Sequence, residues 1–224
     1  MKEIIASSAI PGIWTIAVLE MVLFVVAIRS YKNKGSKIVL LTACITIGLF
    51  LDAFIIGLGA FVNIEALRAI SRIRFISHGV LIPLLFAICS LALDLKKPFS
   101  TIFYAITGIL MVAGLAEALA TVLDVTTIAG ISRMASVKGQ TPAWAEGISS
   151  ILSFGAVIPL IIVGVIVWIR EKTPTLFLAG FLMFAFSALG PATGNAKFIF
   201  YISMYGEILM VFFLYLYGLR KQKK

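Results

Sequence analysis

Seven apolar stretches, each long enough for a helix to cross a bilayer, fill most of this 224-residue chain. Hydrocarbon offers no partner to a peptide group, so a lipid-facing stretch must pair its N–H and C=O groups internally, as a helix does. The expected helices cover residues 9–28, 39–62, 73–93, 101–123, 148–169, 175–191 and 198–219. Apolar residues make up 61% of the chain and charged ones 13%, with a mean hydropathy of +1.10. That composition excludes the balance of a soluble domain. No connection is long enough to hold a second domain, so residues 1–224 read as one all-α membrane domain, a polytopic seven-helix bundle.

Several helix starts are marked by proline, which fits the first turn because its missing donor would be unpaired there anyway. Pro98 precedes the fourth segment, Pro142 the fifth and Pro174 the sixth. The first segment does not read as a cleavable signal peptide. Its apolar run is too long and its leader sets Lys2 beside Glu3.

Positive charge sets the expected orientation. One family of short connections holds Arg29, Lys32, Lys34 and Lys37, then Lys96 and Lys97, then Arg170 and Lys172, then the tail Arg220, Lys221, Lys223 and Lys224. The opposite family holds Lys2, Arg68, Arg72, Arg74, Arg133, Lys138 and Lys197 over a greater length. The denser family belongs in the cytoplasm, which puts the N-terminus outside and the C-terminus inside a cell membrane. The net charge of +9 is then mainly a topology signal, and nucleic acid is not an expected partner. The lipid bilayer is. Aromatic residues fit the same orientation, with Trp14, Trp144 and Tyr201 expected at the outer interface and Trp168, Tyr215 and Tyr217 at the inner one.

The long external connection, 124–147, carries Ile128, Ile131, Met134 and Val137 at a spacing of three. A short interfacial helix and a disordered loop are both compatible with that pattern. Cys44 and Cys89 fall at similar depth in neighbouring helices and read as small buried side chains.

Within this apolar frame stand four carboxylates, Glu20, Asp52, Glu117 and Glu207. A charge at the bilayer centre costs about 3 kcal/mol on insertion scales, so such groups face a protein interior. The third segment adds Arg74 and His78, one turn apart on one face, with Ser71 a turn above them. His78 is the chain's only histidine, expected about one and a half turns into the outer leaflet. Pro83 cannot donate to the carbonyl of Gly79, and Pro159 stands in the same relation to Gly155. Two kinks are expected, which either open a cavity or only shape the bundle. Each polar residue keeps a plainer alternative. Arg74 could snorkel to headgroups, His78 could serve as an interhelical hydrogen-bond partner, Glu117 could be half-solvated, and Glu20 could be a neutral acid. Gly57, Gly59, Ala113, Gly114 and Ala118 read as allowing close helix packing.

Seven helices with an external N-terminus, an arginine nine residues before a proline in the third (Arg74 and Pro83), and an acid midway along the seventh (Glu207) resemble the microbial rhodopsins. The resemblance implies that Arg74 and Glu207 match that family's arginine and seventh-helix acid, which belong to its Schiff-base counter-ion complex. It also implies the scaffold without its chromophore. Val211 stands where the retinal lysine is expected, and Ser77 where the counter-ion carboxylate is expected. Covalent retinal is therefore not expected, and no other cofactor is.

One histidine cannot build a His-rich zinc site, and neither nucleotide-binding glycine loops nor a GxSxG elbow occur. A carboxylate-only site for a hard cation stays open. The expected function is an externally accessible polar site for transport or binding of a proton, a cation or a small polar molecule. Its residues are Glu20, Asp52, Arg74, His78, Glu117 and Glu207. Two other classes stay open: an intramembrane enzyme acting on lipid, and a receptor or assembly subunit whose polar groups only lock helices together. Association into a homo-oligomer is also open.

Overall fold

A computed structural model describes residues 2–192, 194 and 196–221. Lys223 and Lys224 of the basic tail lie outside them. The elements in chain order are α1 (Lys2–Lys34), α2 (Lys37–Leu58), α3 (Ile64–Leu81), α4 (Leu84–Ala92), α5 (Phe99–Ala120), β1 (Leu123–Ile128), β2 (Ile131–Ser136), α6 (Ala143–Gly155), α7 (Val157–Glu171), α8 (Thr175–Ala192) and α9 (Ile199–Lys221). A single 3₁₀ turn, Ala196–Phe198, leads into α9. The α3–α4 and α6–α7 pairs are each one rod with a break. Counted so, seven helices among the described residues are long and apolar enough to cross a membrane.

Both breaks fall where proline demands them. Pro83 interrupts the third rod, and the turn after it closes through tighter bonds, Leu85 N–H to Ile82 O and Phe86 N–H to Pro83 O, each 3.0 Å. The fifth rod breaks at Ala156, between Gly155 and Pro159. Pro98 and Pro142 stand at the N-caps of α5 and α6, and Pro174 directly precedes α8.

Helix ends run further than hydropathy alone places them. The third rod starts at Ile64, nine residues before the expected 73, because Asn63 caps it by accepting from Ala66 N–H at 2.8 Å and Glu65 sits in the first turn. Arg68 and Arg72 are consequently helical, as Arg74 is, and do not lie in a loop. Similarly, α1 continues through Arg29 and Lys32.

The long connection forms neither an interfacial helix nor an irregular loop. It is an antiparallel hairpin, with Leu123 opposite Ser136 and Ile128 opposite Ile131. The two-residue loop Ala129-Gly130 has φ of 53° and 76°, the paired left-handed geometry that matches strand twist in a tight hairpin. The run Val125-Thr126-Thr127-Ile128 is β-branched throughout, which favours a strand over a helix. Ser132 N–H donates to Gly59 O at 3.1 Å and pins the hairpin to the end of α2. A Cβ on Gly59 would collide with the Ser132 carbonyl, so this glycine serves a strand rather than a helix.

Consecutive rods pack side by side, and α9 closes the ring against α1 and α2. Gly79 and Gly114 meet backbone to backbone where α3 crosses α5; neither position has room for a Cβ. At the end opposite the hairpin, Lys221 Nζ reaches Asp94 Oδ2 at 2.6 Å and Glu171 Oε1 at 3.2 Å. Arg170 donates to the Ala92 and Leu93 carbonyls at 2.7 and 3.1 Å, which ties the ends of α4, α7 and α9 together. Two of the expected interfacial aromatics point inward. Tyr201 donates to Ser8 O at 3.1 Å, and Tyr217 is fully buried with its hydroxyl 3.4 Å from Ala92 O. Cys44 and Cys89 are free thiols.

Candidate functional site

The two largest of the core's apolar clusters flank a polar layer. Ala17, Ala53 and Met204 belong to the cluster beneath the hairpin, and Leu23, Leu49 and Met210 to the larger cluster toward the other end. Between these turns lie Glu20 on α1, Asp52 on α2 and Glu207 on α9. Hydrophobic packing above and below therefore holds three carboxylates at one level.

The third rod brings the cations. Arg74 and His78 share a face, and that face is turned toward α2 and α9. Arg74 Nε donates to Asp52 Oδ1 at 2.8 Å, and its Nη1 donates to Met134 O of the hairpin at 3.2 Å. Buried with both partners about a tenth exposed, this is a structural ion pair; Arg74 does not snorkel. His78 stands between two acids. Its Nδ1 is 3.9 Å from Asp52 Oδ1, and its Nε2 is 3.8 Å from Glu207 Oε1. Both spacings exceed a direct hydrogen bond but suit one bridging water or a small ring rotation. His78 lies fourteen residues into α3, about 21 Å along its axis from the capped start at Ile64.

Exposure falls in steps across this layer. The His78 side chain is 37% exposed and those of Asp52 and Glu207 10%, while Glu20 is fully enclosed at 0%. Neither Glu20 oxygen has a hydrogen-bond partner among the described residues, nor has Glu207 Oε2. The charged neighbours of Glu20 are Glu207 first and then Asp52. Leaving buried polar atoms unpaired costs about 1–3 kcal/mol each, and more for charged groups. Three such oxygens in one layer are a strong sign of work other than packing.

Five of the six residues singled out in the sequence thus converge, while Glu117 stands aside. It is buried on α5, where Thr121 Oγ1 donates to its Oε1 at 3.0 Å, and His78 is its nearest charged influence from the layer. It is neither half-solvated nor bonded to the other acids.

Sequence reasoning missed two arginines. Arg72 Nη1 donates to the carbonyls of Ala118 and Thr121, at 2.7 and 2.8 Å, and caps the end of α5. Arg133 on β2 lies over the Phe200 ring, 4.3 Å from its centroid, and has Arg74 and Asp52 as electrostatic neighbours. Burial, reinforced by the adjacent Arg74 charge and opposed by Asp52, lowers Arg133 to about 10. It is still a cation at neutral pH. The signal for Arg133 lay in the β-branched strand and its Ala-Gly turn, which the three-residue apolar spacing obscured. Arg133 also lines an open cavity of about 420 Å³ on the hairpin side, together with Asp124, Lys138 and Lys197. Three cations and one carboxylate, Asp124, line it, and none of the five layer residues does.

Searches against protein-family models and curated proteins return no match to this chain. Its chemistry has to be read from the layer itself.

Proposed function

We propose that this is a multi-pass protein of the cell membrane, N-terminus outside and C-terminus in the cytoplasm, that binds or transports a proton, a cation or a small polar molecule. One observation carries this reading: His78 stands between Asp52 and Glu207, 3.9 and 3.8 Å from their oxygens. Two carboxyls from two helices flank one imidazole, and only Asp52 is neutralised by a bonded arginine. Ionisable residues at membrane depth are expensive to place and mark ion pathways and proton relays.

In this proposal Asp52 and Arg74 form the fixed frame, Glu207 and His78 exchange the cargo, and the hairpin with Arg133 covers the outer approach. The resemblance to microbial rhodopsins, carried by Arg74 and Glu207, would add a scaffold, although the acid bonded to Arg74 is Asp52. It adds no chromophore, because Val211 occupies the position a retinal lysine would need. Val211 is also fully buried among apolar side chains.

Purified protein in proteoliposomes that enclose a pH-sensitive dye tests this directly, with proton or cation flux driven by an imposed gradient. Wild type should show protein-dependent flux, and Glu207→Gln, which keeps shape but removes the titrating proton, should reduce it at least tenfold without loss of helical content. Equal flux from both proteins across pH would leave Glu207 only a packing role and would overturn the proposal.

A further inference from the structure

We infer that Glu20 is the terminal proton acceptor of an ordered relay, His78 to Glu207 to Glu20, and that the cargo of this layer is the proton itself. This rests on the proposed function and narrows it. The steps in exposure set the direction. The His78 side chain is more than a third exposed, that of Glu207 a tenth, and Glu20 is fully enclosed. A hydrated metal ion or an ammonium ligand would need the helices to part before it met Glu20. A proton needs only a chain of donors and acceptors. Glu207 supplies that chain, with Oε1 facing His78 Nε2 at 3.8 Å and Oε2 buried and, among the described residues, without a hydrogen-bond partner, on a helix that packs against α1 and carries a charge toward Glu20.

The step balances without any co-reactant. A proton from the aqueous side joins an imidazole nitrogen of His78. The Nε2–H bond breaks as an O–H bond forms on Glu207 Oε1, through one water or a small ring rotation. The Glu207 acid then gives its proton to a Glu20 oxygen, which restores the Glu207 carboxylate and leaves His78 a neutral imidazole. The groups that bear on the titration are few and identifiable. Glu20 is faced by Glu207 and Asp52, and His78 by Asp52, Glu207, Arg74 and Glu117. Asp52 is held by Arg74, which leaves Glu207 as the exchanging partner.

Infrared difference spectroscopy on the full protein in lipid, with the medium stepped from acid to alkaline pH in H₂O and D₂O, reads carboxyl protonation without any assumption about transport. The protonated-carboxyl carbonyl band of wild type should lose one component in Glu20→Gln and keep it, shifted, in Glu20→Asp. In His78→Ala the same band should reach the same end point but respond at least tenfold more slowly. A band unchanged by Glu20→Gln would overturn the assignment of Glu20 as acceptor, and an unchanged rate in His78→Ala would overturn the order of the relay. Should Glu20→Gln not fold, the shifted band of Glu20→Asp decides alone, and its coincidence with wild type overturns the proposal. Wild-type protein that passes both spectroscopic tests but moves no proton in proteoliposomes would leave the relay standing and refute the transport reading.

Discussion

Arg74 and Asp52 show how much a single buried pair contributes at this depth. Each side chain is about a tenth exposed and the two meet at 2.8 Å. Removing one partner strands the other charge without solvent, which costs about 3 kcal/mol or more. Arg74→Ala should therefore lower stability in detergent by about that amount. The double variant Arg74→Met with Asp52→Leu should recover most of the loss, since the apolar pair leaves no orphaned charge. Thermal or denaturant unfolding of the three proteins provides the check. If Arg74→Ala unfolds like wild type, the pair is solvated and the layer is not a closed interior. The residue scale is also where sequence reading was strongest, because an ionisable side chain among apolar neighbours is conspicuous. It could name Glu20, Asp52, Glu117 and Glu207 and set Asp52 and Glu207 foremost by depth, but it could not say that Glu20 joins them and Glu117 does not. Glu117 differs from the others only in which helix its own helix packs against, and composition carries no trace of that.

Helix ends and helix crossings follow different rules from helix interiors. Hydropathy located all seven rods but misplaced the start of α3 by nine residues, because the first turns of that helix are polar and capped rather than apolar. The proline breaks were legible because a missing donor acts within four residues. The crossing of Gly79 and Gly114 was not, since each glycine looked like any other small residue until its partner came alongside. Their backbones touch, so Gly79→Val should separate α3 from α5 and destabilise the protein by about 2 kcal/mol. His78 would shift with α3, so flux should fall in step. Gly108, on α5, has open space at its missing side chain and is the natural control. Gly108→Val should leave both stability and flux near wild type, measured by thermal unfolding and dye response. Equal effects at the two positions would remove the crossing as the cause.

For the molecule as a whole, the opposed ends differ in kind. One end is covered by the hairpin and its arginine, and the other is drawn together by Lys221, Asp94, Glu171 and Arg170. Tags at both termini, probed on intact cells with an impermeant reagent, should label the N-terminus and spare the C-terminus. A C-terminal tag labelled from outside would reverse the orientation and with it the side from which His78 is reached.

What the sequence determined alone was whatever acts locally. The spans came from unbroken apolar runs, the kinks from proline, and the roster of buried ionisable groups from their chemical contrast with their neighbours. Only the tertiary structure decided which of those groups meet. Glu20, Asp52, Arg74, His78 and Glu207 come from four rods separated by as many as 187 positions along the chain, and their convergence depends on the order in which helices pack and on how far each is rotated about its own axis. A helix that is apolar nearly all round gives almost no amphipathic signal of that rotation. The side-chain packing above and below the polar layer sets it instead.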